Sequence, residues 1–428
     1  MRVAVVGGGP SGSASALLLA QGGVDVTLLD DGRHPQLLVG ESLVPAVVPL
    51  LRRLGVETET GELGMLKPGV SFHWSPEDSA SFAFARFAPA VFPYAYNVPR
   101  PEFDQALLAK AVAAGVRRVA VRARLEPAAS PPGSAELRFS AETLAAAPDL
   151  ADRPPDLIVD ASGRARLAAR ALGIAADAGP RNDVAHFAHF EGAVWRHEPG
   201  QVVITRLPCG WSWCIPLKHR LSIGIVVSRQ DAARLGATPA ERLERAIAAE
   251  PALAAIAGAA RRATPVATYS NYQLVSRRAV GPGWVAVGDA FGFVDPMLSP
   301  GVYLGLRSAE VVADAVIPLG RGGRRASPAA LVAALAPYER AQRGMLAAWT
   351  DLVAHLYDGR MLALMRAGRE WLGAQPGPLK RAAQERIERH IALQASGMAT
   401  TSRYSRGLLR LLGRHGLRGV DPSRLAIR

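Results

Sequence analysis

Three glycines near the start of the chain have the spacing of a phosphate-binding turn. Gly7, Gly9 and Gly12 lie in GGGPSG, between the apolar run RVAVV and the helical pattern SASALLLAQGG. The first glycine permits a tight turn, the second lets a pyrophosphate approach the backbone, and the third allows close helix–strand packing. The helix N-terminus, where Ser11 lies, supplies amide donors and a positive dipole end. The spacing predicts a dinucleotide site.

An acidic residue follows the second strand of the same unit, as dinucleotide binding requires. Asp30 ends the run VDVTLLD and is placed to hydrogen-bond a ribose hydroxyl, with Asp31 as the alternative. We find no second glycine fingerprint for a resident nicotinamide. A separate flavin reductase would then supply the reducing equivalents if the bound dinucleotide is a flavin.

The elements around these residues indicate an α/β fold with an α+β second domain. RVAVV, the glycine turn, a helix and VDVTLL form one βαβ unit. Aromatic residues alternate between residues 70 and 100, which is typical of antiparallel strands, and residues 186–275 repeat that pattern. Beyond residue 301 the pattern is almost wholly helical.

The predicted domain organisation is a Rossmann-like dinucleotide domain in separated segments, an antiparallel substrate domain and a helical C-terminal region. The dinucleotide segments are residues 1–75, 100–185 and 276–330, the last carrying the sequence GDA. The substrate domain takes residues 76–99 and 186–275, and the basic helical region takes residues 331–428.

Composition excludes several classes of protein. The 428 residues are 49% hydrophobic, but no uncharged apolar run reaches the roughly 18 residues of a membrane span, so no membrane is expected. Cys209 and Cys214 are too few for a disulfide framework or a cysteine-based metal site, so we expect no metal and a cytoplasmic location.

Positive charge is concentrated at the end of the chain. The net charge is +13, and residues 361–428 hold 13 Lys and Arg against 4 Asp and Glu. No zinc spacing, RNP motif or basic–aromatic interleaving accompanies this charge, so no nucleic-acid partner is expected. Solvated helical faces explain it most simply, and an acidic partner is the functional alternative.

A second segment resembles a flavin contact. Gly288 and Asp289, in GDA, follow a strand and precede a helix from about Gly301. This arrangement looks like the second FAD contact of the large FAD-dependent monooxygenase superfamily. The resemblance implies that FAD is the cofactor, that Asp289 binds its ribityl chain, and that the helix N-terminus at Gly301 and Val302 faces the pyrimidine edge of the flavin.

Three motifs narrow the resemblance to the FAD-dependent halogenases and their close relatives. GESLVP resembles the loop that covers the flavin, with Glu41 and Ser42 in it; WSWCIP resembles the WxWxIP motif; and GDAFGFVDPMLSPGV resembles the flavin-facing segment. PRPEFDQALL, with Arg100 near the flavin, and DASGR are weaker matches. The first domain is then an FAD-binding domain of the flavin monooxygenase type.

The resemblance and the aromatic pattern also predict a substrate pocket. Trp211, Trp213 and Pro216, in WSWCIP, would form the wall between flavin and substrate. Phe92, Tyr94 and Tyr96 recur with a period of two, and this stripe either lines the substrate-facing sheet or packs in the core.

Lys67, in MLKPGVSFHW, aligns by its surroundings with the catalytic lysine of the halogenases. In that family the ammonium contacts hypohalous acid and delivers it to the substrate. The chain has only four lysines and uses arginine at most basic positions, so a lysine here favours a need for a compact ammonium. The alternative is a surface lysine in a loop before Pro68.

Pro300 departs from the halogenase pattern. The resemblance places the halide against backbone amides at positions corresponding to Pro300 and Gly301, and proline has no N–H. We therefore expect a flavin monooxygenase that hydroxylates an indole, phenol or pyrrole with reduced FAD and O2, through a C4a-hydroperoxide. The substrate is a small aromatic molecule or a tryptophan-containing peptide or protein. The alternatives are a reduced-FAD-dependent halogenase and an FAD-dependent C=C reductase.

Overall fold

The structure is a computed structural model that describes residues 1–427 except 34, 36, 76–77, 129–134, 271–272, 322–324, 374–376 and 418–419. Strands and helices are numbered in chain order. The strands among the described residues are β1 (Arg2–Val6), β2 (Asp25–Leu29), β3 (Met65–Lys67), β4 (Gly69–His73), β5 (Ser79–Ala83), β6 (Ala95–Asn97), β7 (Arg117–Val119), β8 (Leu125–Pro127), β9 (Leu137–Phe139), β10 (Leu157–Asp160), β11 (Ala176–Ala178), β12 (Asp183–Glu191), β13 (Val202–Leu207), β14 (Gly210–Pro216), β15 (Leu221–Ser228), β16 (Arg261–Arg262), β17 (Ala267–Ser270), β18 (Leu274–Ser276), β19 (Val280–Gly281), β20 (Trp284–Ala286) and β21 (Gly292–Phe293).

The helices of the same residues are α1 (Pro10–Gln21), α2 (Val47–Leu54), α3 (Glu57–Leu63), α4 (Arg100–Ala113), α5 (Ala141–Ala146), α6 (Pro148–Asp152), α7 (Leu167–Ala171), α8 (Arg229–Leu235), α9 (Pro239–Ala249), α10 (Pro251–Ala257), α11 (Gly301–Gly320), α12 (Pro328–Tyr357), α13 (Arg360–Leu372), α14 (Pro378–Ala395) and α15 (Arg403–His415). In the part of the chain that the structure describes, no helix has the length and apolarity needed to cross a membrane.

The first sheet is the predicted dinucleotide unit. Its order is β19-β20-β10-β1-β2-β7, and every pair is parallel except β19–β20. Residues of β1 are all buried, as expected for a parallel strand covered on both faces. Helix α11 packs against α1, so the distant GDA segment returns to the glycine turn. The mixed α/β fold is therefore confirmed.

The second sheet is mostly antiparallel and forms the other wall of the site. Its order is β16-β12-β15-β14-β13-β4-β5, with β17 paired to β12 and only β13–β4 parallel. Alternation along β14 places Trp211, Trp213 and Ile215 on one face, while Cys214 packs on the opposite face with residues of α9 and α10. The sheet thus presents both tryptophans to the same side.

The described part of residues 76–99 holds two of the expected strands: β5 pairs antiparallel with β4, and the short β6 pairs antiparallel with β3. A 3-10 turn at Phe84–Phe87 ends the β5 alternation, and Phe92 and Tyr94 precede the short strand β6. The aromatic stripe therefore does not lie on one continuous strand. The sequence boundaries of the domains remain predictions.

Candidate active site

A cavity of about 290 Å³ lies where the two sheets meet. Gly9, Ala161 and Val287 line it, and they follow the carboxyl ends of β1, β10 and β20. Ligands of open α/β sheets bind outside the carboxyl ends of the strands. The cavity extends from this edge to an aromatic chamber, lined by Phe72, Phe82, Phe84, Phe87, Trp211 and Trp213.

The glycine turn fits the pyrophosphate of a dinucleotide. A Cβ at Gly7 would lie 2.5 Å from the carbonyl oxygen of Ala161, and one at Gly12 would lie 1.8 Å from that of Gly7. A Cβ at Gly9 would meet no protein atom within 4 Å, and Gly9 faces the cavity. Space at Gly9 is therefore left open on the side where a pyrophosphate would approach.

Of the other residues predicted to bind the dinucleotide, Ser11 lines the cavity and Asp30 does not. Ser11 lines the cavity, and a Cβ at Gly288 would lie 2.3 Å from its Oγ, so Gly288 is needed for close packing. Asp30 is buried beside the glycine turn but lies outside the cavity lining, where Arg118 donates a hydrogen bond to its Oδ2 at 2.9 Å. Binding of a ribose by Asp30 stays a prediction.

Two charged residues predicted near the flavin do line the cavity. Burial raises the pKa of Asp289 to about 6, and the positive charges of Arg100 and Arg164 partly oppose this rise. Part of the Asp289 side chain still faces the open cavity. Arg100 at the start of α4 pairs with Asp104 at 3.0 Å and donates to the carbonyl oxygen of Val39. Asp289 is thus an acceptor for hydroxyl groups beside a fixed guanidinium.

The predicted flavin-covering loop contains a buried pair that sequence reasoning missed. Glu41 lines the cavity, and His189 Nε2 lies 2.6 Å from its Oε1, with both side chains almost fully buried. His189 comes from β12, so this contact connects the loop to the second sheet. His189 is one of two histidines in the otherwise mostly apolar β12, and the sequence gave no signal for this contact.

Lys67 lies inside the cavity and is not a surface residue. Its side chain is 5% exposed, and Nζ donates to Ser42 Oγ at 2.8 Å and to the carbonyl oxygen of Leu43 at 3.0 Å. Nζ also lies 5.5 Å from the centre of the Phe84 ring. Burial lowers the pKa of Lys67 to about 7. An ammonium has three donors, so one is left for a ligand.

The loop before α11 has an uncommon backbone. Leu298 and Ser299 both take positive φ values, 65° and 57°, which side chains other than glycine rarely adopt. Pro300 is the N-cap, and its carbonyl oxygen accepts from the Leu304 amide. Since the first amides of a helix lack intrahelical acceptors, those of Gly301 and Val302 are available at the cavity.

The structure separates the predicted pocket residues into two groups. Trp211 and Trp213 line the cavity with ring centres 5.8 Å apart, whereas Pro216 ends β14 outside it. Phe92, Tyr94 and Tyr96 are also outside, so placing that stripe in the pocket was wrong.

These three aromatic residues contact α2 and α3 instead. Arg52 stacks over the Phe92 ring at 5.2 Å, and the hydroxyl groups of Tyr94 and Tyr96 donate to Glu57. Polar partners outside the pocket determine which way these aromatic side chains point. The alternation of aromatic residues in the sequence does not identify those partners.

The C-terminal helices close the cavity, which the sequence did not indicate. The apolar residues that they contribute come from α12, α13 and α14: Leu352, Leu356, Met361, Leu362, Met365, Ile391, Ala392 and Ala395. Arg366 and Arg369 of α13 and Lys380, Arg381, Arg386 and Arg389 of α14 are exposed, so part of the basic charge noted in the sequence lies on the outer faces of these two helices. The apolar stripes of these helices were the available signal, but such stripes are equally typical of core packing.

Comparison with known proteins agrees with this geometry. The sequence model of the family described as "Tryptophan halogenase" matches residues 2–93 and 83–358. A tryptophan 2-halogenase of Chondromyces crocatus is 30% identical over 367 residues, covering 83% of this chain and 68% of the relative. The flavin-dependent halogenase gsfI of Penicillium aethiopicum is 29% identical, covering 75% of this chain and 65% of the relative.

A solved structure shares the whole fold. The flavin-dependent brominase Bmp2 superposes with a TM-score of 0.74 at 19% identity, covering 98% of this chain and 100% of that chain. At this identity the superposition supports the fold, while the sequence matches carry the family.

Proposed function

The chain belongs to the tryptophan halogenase family, and on that premise we propose that it is an FAD-dependent enzyme that halogenates an electron-rich aromatic substrate. FAD is the cofactor, and a separate flavin reductase would supply it in reduced form. The substrate is an indole, phenol or pyrrole, either free or within a tryptophan-containing peptide. The family comparisons favour this alternative over the hydroxylation that Pro300 suggested.

The observation that carries the proposal is the position of Lys67. Its Nζ lies in the cavity between the flavin-covering loop, through Ser42, and the aromatic chamber, through Phe84. A buried ammonium at this point can hydrogen-bond the oxygen of hypohalous acid and direct its halogen toward a ring carbon. Electrostatic stabilisation by a preorganised donor is stronger in such a water-poor site than in water.

FAD, bound in its reduced form, supplies the two electrons that reduce O2. Overall, reduced FAD, O2, a halide ion, a proton and the aromatic C–H compound give oxidised FAD, the aryl halide and two water molecules. The protein residues would divide the remaining tasks. Gly9 and Ser11 would hold the pyrophosphate, Asp289 the ribityl hydroxyls, Gly301 and Val302 the pyrimidine edge, and Trp211 and Trp213 would separate flavin from substrate.

Hydroxylation is a second candidate because of Pro300. The amide that the family pattern places against the halide does not exist in this chain, and a hydrogen bond to a charged group contributes roughly 1.5–3 kcal/mol. Weakened halide binding would leave more of the oxidant to transfer oxygen to the aromatic carbon.

Product mass spectrometry tests both candidates. The chain, reduced FAD, O2 and a panel of indoles, phenols and pyrroles are incubated with chloride or bromide, and with neither. Replacement of one hydrogen by halogen supports the proposal, while a gain of one oxygen with and without halide selects hydroxylation. A gain of two hydrogens would identify a C=C reductase and overturn both.

A further inference from the structure

A chain of buried hydrogen bonds connects the tryptophan wall to the loop before α11. Trp211 Nε1 donates to the Tyr357 hydroxyl at 2.9 Å, and that hydroxyl donates to Asp295 Oδ1 at 3.0 Å. Trp211, Tyr357 and Asp295 are 2%, 7% and 0% exposed. Both hydrogen bonds are therefore largely shielded from bulk solvent.

The three residues come from different parts of the fold. Trp211 lies on β14, Tyr357 is the last residue of α12, and Asp295 follows β21. Trp211 and Asp295 line the cavity, whereas Tyr357 lies behind the lining. The Tyr357 hydroxyl thus joins two walls of the cavity without reaching a bound ligand.

Asp295 fixes the start of the loop in which Leu298 and Ser299 adopt the left-handed backbone conformation. Its Oδ1 also accepts from the Met297 amide at 2.9 Å, and its Oδ2 accepts from Gln273 Nε2 at 3.2 Å. Leu298 and Ser299 follow directly with positive φ values. Strained backbone of this kind persists only where surrounding contacts determine it.

Tyr357 is suited to hold such a contact. Burial, assisted by the neighbouring Asp295 carboxylate, raises the pKa of its hydroxyl well above the ordinary value, so the proton is retained throughout the working pH range. The Arg181 guanidinium stacks 3.6 Å from the ring centre and pairs with Asp183. The ring is therefore clamped independently of its hydroxyl group.

We propose that Tyr357 is a positioning residue whose hydroxyl holds the loop of residues 296–301, in which Leu298 and Ser299 are left-handed, in register with the Trp211 wall. This inference rests on the proposed function only for its catalytic consequence. The spacing between the oxidant and the aromatic substrate would depend on this register, because the loop leads into Gly301 and Trp211 would separate the flavin from the substrate. Loss of the hydroxyl should uncouple O2 consumption from product formation.

Tyr357→Phe removes the hydroxyl and keeps the ring stacked on Arg181. Tyr338→Phe is the matched control, because Tyr338 is also buried on α12 and donates its hydroxyl to a backbone carbonyl, that of Ala286, at 2.8 Å. Hydrogen exchange of the FAD-bound protein is followed by mass spectrometry in the peptide holding Met297 and Ser299, whose amides are hydrogen-bonded.

Tyr357→Phe should accelerate exchange in that peptide about tenfold, while Tyr338→Phe should leave it unchanged. Product formed per O2 consumed should fall at least about threefold in Tyr357→Phe and stay at the parent value in Tyr338→Phe. Unchanged exchange in Tyr357→Phe, or equal changes in both variants, would overturn the proposal. If the parent protein forms no product at all, the proposed function fails, and the exchange measurement still decides the role of Tyr357.

Discussion

Lys67 Nζ donates a hydrogen bond to Ser42 Oγ at 2.8 Å, which ties the buried ammonium to the loop predicted to cover the flavin. Ser42 is itself bridged to Asn97, the last residue of β6, and β6 pairs with β3, the strand that ends at Lys67. The position of the amine therefore depends on the conformation of this loop. The loop predicted to cover the flavin thus also positions the Lys67 amine.

Replacement of Lys67 by Met should abolish product formation while sparing the cofactor. Methionine fills similar space without charge, so FAD affinity and flavin reoxidation should stay within about twofold of the parent. Product formation should fall by at least about a hundredfold, because a preorganised donor acts mainly in the transition state. Single-turnover assays with reduced FAD measure both rates.

The matched control for Lys67 is Lys110→Met. Lys110 is a partly exposed lysine that pairs with Glu59, and neither residue lines the cavity, so its loss should change neither rate. Equal product yields from Lys67→Met and the parent would reduce Lys67 to a packing residue.

Product formation should also depend on pH through Lys67. Because burial places its pKa at about 7, the ammonium predominates below pH 7 and the neutral amine above it. The rate should decrease as pH rises through 7, about tenfold for each further pH unit, since the protonated fraction decreases by that factor. Rates from pH 6 to 9 with saturating FAD check this, and the residual rate of Lys67→Met should be independent of pH. A parent rate that is constant up to pH 9 would contradict this role for the ammonium.

Replacement of Gly9 by Val should remove FAD binding without unfolding the chain. No protein atom lies within 4 Å of a Cβ at Gly9, so the FAD-free fold should keep its stability to within about 1 kcal/mol. The added side chain would occupy the pyrophosphate position and weaken FAD binding at least about a hundredfold. Fluorescence titration with FAD and urea unfolding measure the two quantities.

Gly344→Val is the matched control for Gly9. A Cβ at Gly344 also meets no atom within 4 Å, but the residue is exposed on α12 and is not part of the cavity lining. FAD affinity should be unchanged in this variant. Normal FAD binding by Gly9→Val would exclude the glycine turn as the pyrophosphate site.

The sequence predicted those features that are formed by residues close to one another along the chain. The glycine turn, the βαβ unit and the start of α11 at Gly301 each depend on neighbours within about thirty residues. The Trp211–Tyr357 contact joins residues 146 positions apart, and no periodicity in the sequence records such a pair.

The predictions that failed have a similar cause. Alternation suggested antiparallel strands that carry the aromatic residues into the pocket. The turn at Phe84–Phe87 ends the alternation of β5, however, and Tyr94 and Tyr96 donate to Glu57 outside the cavity lining. The cavity walls from α12, α13 and α14 could not be assigned because an apolar helical stripe does not identify the surface that it covers.

Pro300 gives the sharpest test of halide use. Its φ of −77° is compatible with other residues, so Pro300→Ala should restore a backbone donor at the N-terminus of α11 without altering the loop. A hydrogen bond to an anion contributes roughly 1.5–3 kcal/mol, and the positive end of the helix dipole acts in the same direction. The KM for bromide should therefore decrease about tenfold to a hundredfold, with the halogenated share of the product rising.

Comparison of Pro300→Ser with Pro300→Ala distinguishes the effect of the restored backbone N–H from the effect of an added side-chain hydroxyl. Both variants restore the N–H, but serine adds a hydroxyl that can cap the helix. If the missing amide limits halide binding, Ala and Ser should lower the bromide KM alike, and Lys67→Met should still prevent halogenation in both. A bromide KM that is unchanged in Pro300→Ala would mean that the halide does not bind at this amide. In that case the available amides of Gly301 and Val302 would be the next donors to test, because they face the same cavity.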